Sequence, residues 1–288
     1  MSKIETSDEL LFLSASLRII RVPKMIRDGK VILTTTLIIL TIAPFSYAAP
    51  SNRFPEQQDK ESLHWTKQAW DDFKSPVTTD AKYPLLVGAG LTATLLLFED
   101  KIVDPAQEEV VEHKPLGSLS KIGDLGGQGY ANALYVADML TYGLIDSDAD
   151  AKRNSTGMFK ASLYSILLTT GLKYTVKEPR PDSNNRDSFP SGHTTAAFSF
   201  AAYVACRHSL GWGIAAYSMA GYVGFSRIND NRHYLHDVTA GATIGTAYGL
   251  GVCLSENERS LPKNLTRSAN WFAAPTPGGA VAGLTVQY

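Results

Sequence analysis

Four helix-length apolar segments follow one another at residues 158–177, 194–207, 211–227 and 236–254. They are rich in Ala, Gly, Ser, Thr and Tyr. Side chains that small let helix backbones approach closely, so the segments call for helices stacked on one another. The expected fold class is therefore all-α, a compact helical bundle. The tail departs from this pattern. In "WFAAPTPGGAVAGLTVQY" a Pro-Gly-Gly turn precedes alternating Leu284, Val286 and Tyr288, which predicts a short C-terminal hairpin.

The N-terminus reads as an address. From Met25 a short basic stretch (Arg27, Lys30) leads into an apolar run over 31–43, and Ser46 and Ala48 then fit the small-x-small pattern of a signal peptidase site. The run falls short of the ~20 residues of a membrane span. Cleavage is expected after Ala48, with translation starting at Met25 and residues 1–24 an upstream extension. Residues 49–82 are polar, with Trp65, Trp70 and Phe73 spaced along one helical face that packs on the core. Residues 83–255 are expected to form the helical domain, beginning with the apolar stretch 83–98, and 256–288 the tail. The charged run 108–114 reads as a solvated face.

Composition removes several classes. With 44% hydrophobic residues, 19% charged residues and a net charge of -1, the chain is globular and offers no bulk attraction to nucleic acid. Cys206 and Cys253 sit in two helix interiors and are expected to be buried free thiols. Gly127-x-Gly129 faintly echoes a dinucleotide loop, but no strand precedes it. Asp146, Asp148 and Asp150 suggest a calcium loop, yet Ala151 stands where glycine is required and Gly157 where glutamate is required. That stretch reads as a solvated acidic turn.

Chemistry concentrates in three places. In "DSFPSGHTTAAF", Pro190 and Ser191 lead into a helix beginning near Thr194. A helix start presents free N–H groups and the positive end of the dipole, which suits an oxyanion. Ser191 can donate a hydroxyl, Gly192 lets the backbone come close, and His193 is titratable. In "LKYTVKEPRPDS", Lys173 ends a helix and Arg180 lies between Pro179 and Pro181 in extended backbone. A point charge and a planar fork together suit phosphate. In "GFSRINDNRHYLHDVTAG", Arg227 ends another helix, and Asp237 follows His233 by four residues. At helical spacing Asp237 can fix the His233 tautomer and leave its other nitrogen nucleophilic. Arg232 and His236 fall on a different face and are expected to be exposed polar residues.

Together these groups prescribe phosphoryl transfer. Lys173, Arg180 and Arg227 would neutralise the equatorial oxygens, His233 would attack in line, and His193 would protonate the leaving alkoxide and later activate water. The cations do the charge work, no cluster shows metal-ligand spacing, and no cofactor is called for.

K-x6-R-P (Lys173 to Pro181), P-S-G-H (Pro190 to His193) and S-R-x5-H-x3-D (Ser226 to Asp237) resemble the three-part signature of the type-2 phosphatidic acid phosphatase / vanadium haloperoxidase superfamily. The resemblance covers about a third of the chain. It implies an all-helical bundle and a phosphohistidine mechanism. It implies phosphate binding by Lys173, Arg180, Ser191, Gly192 and Arg227, with His193 as acid, His233 as nucleophile and Asp237 as its partner.

The expected activity is metal-independent phosphomonoester hydrolysis in the cell envelope, on lipid phosphates or other phosphate esters. A haloperoxidase is disfavoured by the short chain, and a non-catalytic binder by the presence of both His193 and His233. Two placements stand. A mean hydropathy just below zero and Gly/Ala-rich segments favour a soluble or membrane-peripheral periplasmic enzyme. The alternative is an integral membrane phosphatase for lipid phosphates or isoprenoid diphosphates.

Overall fold

The computed structural model describes residues 65–260, together with the backbone of 268–276 and 279–287. The leader, the cleavage after Ala48 and the start at Met25 lie outside the described residues.

Nine α-helices are described: α1 (Trp65–Thr78), α2 (Lys82–Leu97), α3 (Asp104–His113), α4 (Ser120–Gly127), α5 (Tyr130–Ile145), α6 (Ala149–Val176), α7 (Gly192–Arg207), α8 (Leu210–Asn229) and α9 (Leu235–Ser260). A π-helical turn, Glu99–Val103, joins α2 to α3. The four segments expected from the sequence become α6 to α9. The acidic turn becomes the start of α6, where Asp148 Oδ1 accepts the Ala151 N–H at 2.7 Å as an N-cap. The tail forms an antiparallel hairpin of β1 (Ser268–Thr276) and β2 (Gly279–Gln287), pairing Ser268 with Gln287 at its open end.

Small residues set the core. Gly241, Gly245 and Gly249 of α9 form a stripe four residues apart. A Cβ on them would come within 2.5, 2.4 and 2.5 Å of the carbonyl oxygens of Ser191, Thr195 and Ser199 on α7. Real Cβ atoms do not approach that closely, so α7 and α9 can touch backbone to backbone only because these positions are glycine. Met158, Tyr203, Val204 and Val252 pack together where α6, α7 and α9 meet.

The same closeness overturns the expectation of free thiols. Cys206 on α7 and Cys253 on α9 form a disulfide, with Cα atoms 6.4 Å apart. Two helix interiors seemed unrelated in sequence, but α7 and α9 are packed neighbours, and their separation suits a bridge.

α1 is fastened to the bundle by charge. Asp72 is fully buried and accepts from Lys160 Nζ at 2.9 Å, Arg259 Nη1 at 2.7 Å and Ser255 Oγ at 3.1 Å. Phe73 packs edge-on against Tyr164, and Trp70 stacks on Phe73 from outside.

Candidate active site

The end of α6, the start of α7, the end of α8 and the start of α9 meet at one end of the bundle, and together with the segments joining them they carry all eight residues singled out from the sequence. The loop 177–191 closes over this end. Pro179 and Pro181 stop helix formation, and the loop folds on itself through Arg180 N to Asn185 O at 2.8 Å and Ser188 N to Glu178 O at 3.0 Å. Ser191 N donates to Asp237 O at 3.1 Å, which fixes the entry of α7 against α9.

Ser191 precedes α7 in extended backbone and is fully buried, but its side chain makes no capping bond. Instead its oxygen accepts from Thr194 Oγ1 at 3.0 Å, leaving its own proton to be donated elsewhere. A Cβ on Gly192 would meet no protein atom within 4 Å, so this glycine is not required by packing inside the chain. It leaves the first N–H groups of α7 accessible.

The cations converge. Lys173 Nζ donates to the carbonyl oxygens of Asp187 and, at 3.2 Å, Ser188. Arg180 grips Asp187 with two parallel bonds, Nε to Oδ1 at 2.7 Å and Nη2 to Oδ2 at 3.1 Å. That pairing holds the Asp187 carboxyl below the usual carboxylate range. Arg227 is almost fully buried, and its Nη2 has no hydrogen-bond partner among the described residues. His193 Nε2 is likewise buried and makes no hydrogen bond among them. Buried donors in that state are costly unless something accepts from them.

His233 and Asp237 do meet, but not on one helix. His233 lies in the turn before α9 and Asp237 in its first turn. His233 Nδ1 is 3.4 Å from Asp237 Oδ2. The same Oδ2 accepts from Ser188 Oγ at 2.6 Å and from the Tyr234 N–H at 2.9 Å. Burial pushes the His233 pKa down, and the Lys173 and Arg180 charges add to this. Asp237 works the other way without reversing it. The balance favours the neutral ring, whose Nε2 carries a free lone pair.

Two groups were not foreseen. Asp124 on α4 reaches into the site, where its Oδ1 accepts from Arg227 Nη1 and lies 3.3 Å from His193 Nε2. Burial raises the Asp124 pKa, but Arg227 and His193 outweigh it and leave the carboxyl below its ordinary value. The glycine-rich stretch explains how α4 comes so close. A Cβ on Gly123 would fall 2.2 Å from Ser226 Oγ, and one on Gly127 2.5 Å from His193 Cβ. "GDLGG" is thus a contact face that delivers a carboxylate. The only sign in the sequence was an acid placed between glycines four residues apart.

The second is His236, expected to be exposed and instead fully buried. Its Nε2 lies 2.8 Å from Glu178 Oε1. Helical spacing counted from His233 misplaced it, because His233 precedes the helix. Burial, with the Asp237 carboxylate facing it, raises the Glu178 pKa against the lowering effect of His236. Arg232 is exposed as expected, paired with Asp182 at 2.8 Å.

Comparison with known proteins agrees with the motif reading. Residues 157–260 match the PAP2 superfamily. This segment, through which the chain is similar to that superfamily, holds all eight foreseen residues. Over 88 residues it is 39% identical to a lipid A 1-phosphatase of Porphyromonas gingivalis, a stretch that is 29% of this chain and 20% of that protein. The chain thus spans about a fifth of the length of that curated relative. Among solved structures, LpxE of Aquifex aeolicus aligns with 54% of this chain and 95% of its own, at 22% identity and a TM-score of 0.46. A transmembrane PAP2-type phosphatidylglycerolphosphate phosphatase from Bacillus subtilis aligns with 66% of this chain and 100% of its own, at 20% identity and a TM-score of 0.49.

Proposed function

We propose that the protein is a phosphoric ester hydrolase acting on lipid phosphates of the cell envelope through a covalent phosphohistidine. The observation that carries this is the convergence of Arg227 Nη2 and His193 Nε2, which make no hydrogen bond among the described residues and face only the carboxylates of Asp230 at 3.5 Å and Asp124 at 3.3 Å. They stand beside the accessible N-terminus of α7 and within electrostatic range of His233. A phosphoryl group supplies oxygens for those donors.

Asp237 engages His233 at Nδ1, so Nε2 is the attacking atom. It forms a bond to phosphorus as the P–O bond to the leaving group breaks. Lys173, Arg180, Arg227, the Ser191 hydroxyl and the N–H groups at Gly192 hold the three equatorial oxygens. His193, charged as imidazolium once the phosphate dianion arrives, gives its Nε2 proton to the leaving alkoxide. It then takes a proton from the water that attacks the phosphohistidine, releasing inorganic phosphate and restoring both imidazoles. Protein cations do the charge work, and no metal takes part in transfer. Asp124 orients His193 and gives up Arg227 as phosphate arrives. The test is release of inorganic phosphate from p-nitrophenyl phosphate and from phosphatidic acid in detergent, by the wild-type protein and by His233→Ala. Equal rates in the two proteins would refute the reading.

The surface favours the membrane-embedded placement over the soluble one. Val87, Leu91 and Leu97 of α2, Leu134 and Ile145 of α5, Ile166 and Leu167 of α6, and Trp212 and Ile214 of α8 are all more than half exposed or close to it; Leu97 reaches 80% and Ile145 76%. Apolar exposure on this scale along four helices marks a lipid-facing surface. Among the described residues α9 is the one helix both long and apolar enough to cross a bilayer, and it is the central one, packed against α7, α6, α2 and α1. The Cys206–Cys253 bridge supports an oxidising compartment, consistent with export.

A further inference from the structure

His236 and Glu178 belong to none of the phosphate contacts, yet they lie directly behind the nucleophile's partner. The His236 ring is held between Tyr234, stacked at 5.3 Å and 13°, and Phe189 at 6.3 Å and 34°. So clamped, it directs Nε2 at Glu178 Oε1, 2.8 Å away, and places the same atom 3.6 Å from Asp237 Oδ1. Asp237 is fully buried and its two oxygens are unequal. Oδ2 takes Ser188, the Tyr234 N–H and His233, whereas Oδ1 accepts no hydrogen bond among the described residues. His236 is the donor that faces Oδ1.

We propose that Glu178 and His236 are positioning residues for the nucleophile. The imidazole, held by Glu178, fixes the rotation of the Asp237 carboxylate, so that Oδ2 stays on His233 Nδ1. It also sets an imidazole against two carboxyl groups that face each other in a buried place, where like charges repel strongly. The pair ties the loop carrying Arg180 and Ser188 to the start of α9. Phosphate binding and nucleophile orientation are thereby set by one contact. Glu99, at the head of the π-helical turn, lies near the same group, with its ligating oxygen within 4.8 Å of those of Glu178 and His236. Within this group Glu178 and His236 are already joined to each other at 2.8 Å.

This inference rests on the phosphohistidine reading, and the test separates the two. Full-length Glu178→Gln, His236→Asn and the double variant are assayed for kcat and KM on p-nitrophenyl phosphate, with thermal unfolding and metal content measured alongside. Glu178 lies in a loop and is partly exposed, so Glu178→Gln is the variant least apt to disturb folding. Each single variant is expected to lose about tenfold in kcat with KM within about twofold, and the double variant about tenfold rather than about a hundredfold, because the two residues act as one unit. Wild-type kcat in Glu178→Gln, losses that multiply in the double variant, or kcat losses fully accounted for by unfolding would each overturn the proposal. Stoichiometric divalent metal in the wild type that His236→Asn releases would also overturn it, since the group would then be a metal centre. If His233→Ala retains activity, the phosphohistidine reading itself fails. If only Glu178→Gln behaves as wild type, this inference alone fails.

Discussion

Asp124 Oδ1 lies 3.3 Å from His193 Nε2 while also taking the Arg227 guanidinium, so one carboxylate oxygen occupies the two groups that a phosphate oxygen needs most. The carboxylate is half exposed and is steadied by Gln128 Nε2 at 3.2 Å, so it can move aside. Asp124→Asn removes a negative charge from the phosphate cradle. Vanadate, whose trigonal-bipyramidal form resembles the transition state, is expected to inhibit this variant about tenfold more tightly, a change of about 1.4 kcal/mol. An unchanged inhibition constant would mean that Asp124 already stands clear in the free enzyme.

The pH profile follows from the burial of His233. Attack needs the neutral ring, and burial together with Lys173 and Arg180 depresses its pKa, so the acid limb of kcat/KM is expected below the ordinary histidine value of about 6.5. Asp237 opposes that depression. In Asp237→Asn the limb should move further toward acid while kcat falls. A limb that moves toward neutral pH would show that the group being titrated is not His233.

The disulfide gives a stability prediction. Cys206 and Cys253 are 47 residues apart, and in the chain-entropy account closing such a loop contributes up to ~4 kcal/mol. Thiol titration of unreduced, denatured protein should find no free thiol, and Cys206→Ser should unfold at a lower temperature. Two titratable thiols in protein isolated without reductant would contradict the bridge.

The apolar flanks of α2, α5, α6 and α8 predict that the protein stays with membranes through high-salt and alkaline carbonate washes and needs detergent for release. Recovery of full activity in osmotic shock fluid would restore the soluble placement.

How much of this was legible in the chain depends on whether the signal was local. Lys173, Arg180, Ser191, His193, Arg227 and His233 sit at helix ends marked by prolines, glycine and charge, and the small-residue composition of α6 to α9 announced close packing before any contact was known. Local signals failed where the fold brings distant segments together. Cys206 and Cys253 read as unrelated thiols because the α7–α9 stripe of Gly241, Gly245 and Gly249 was not recognised as a contact face. His236 was misplaced because helical periodicity was counted across a turn. Asp124 was not singled out, since only the structure shows that Gly123 and Gly127 press α4 onto Ser226 and His193. The apolar surface was not legible because the helices bury small residues inward and show Leu, Ile and Val outward, which averages to an unremarkable hydropathy.

The covalent intermediate tests the central claim most directly. Phosphate-labelled substrate is mixed with the wild-type protein, His193→Ala and His233→Ala, and each mixture is quenched in alkali, where a phosphohistidine survives. The account predicts an alkali-stable, acid-labile label on the wild type, retained or increased in His193→Ala because water is no longer activated, and absent from His233→Ala. Label on His233→Ala, or turnover by the wild type with no covalent label at any time, would contradict it.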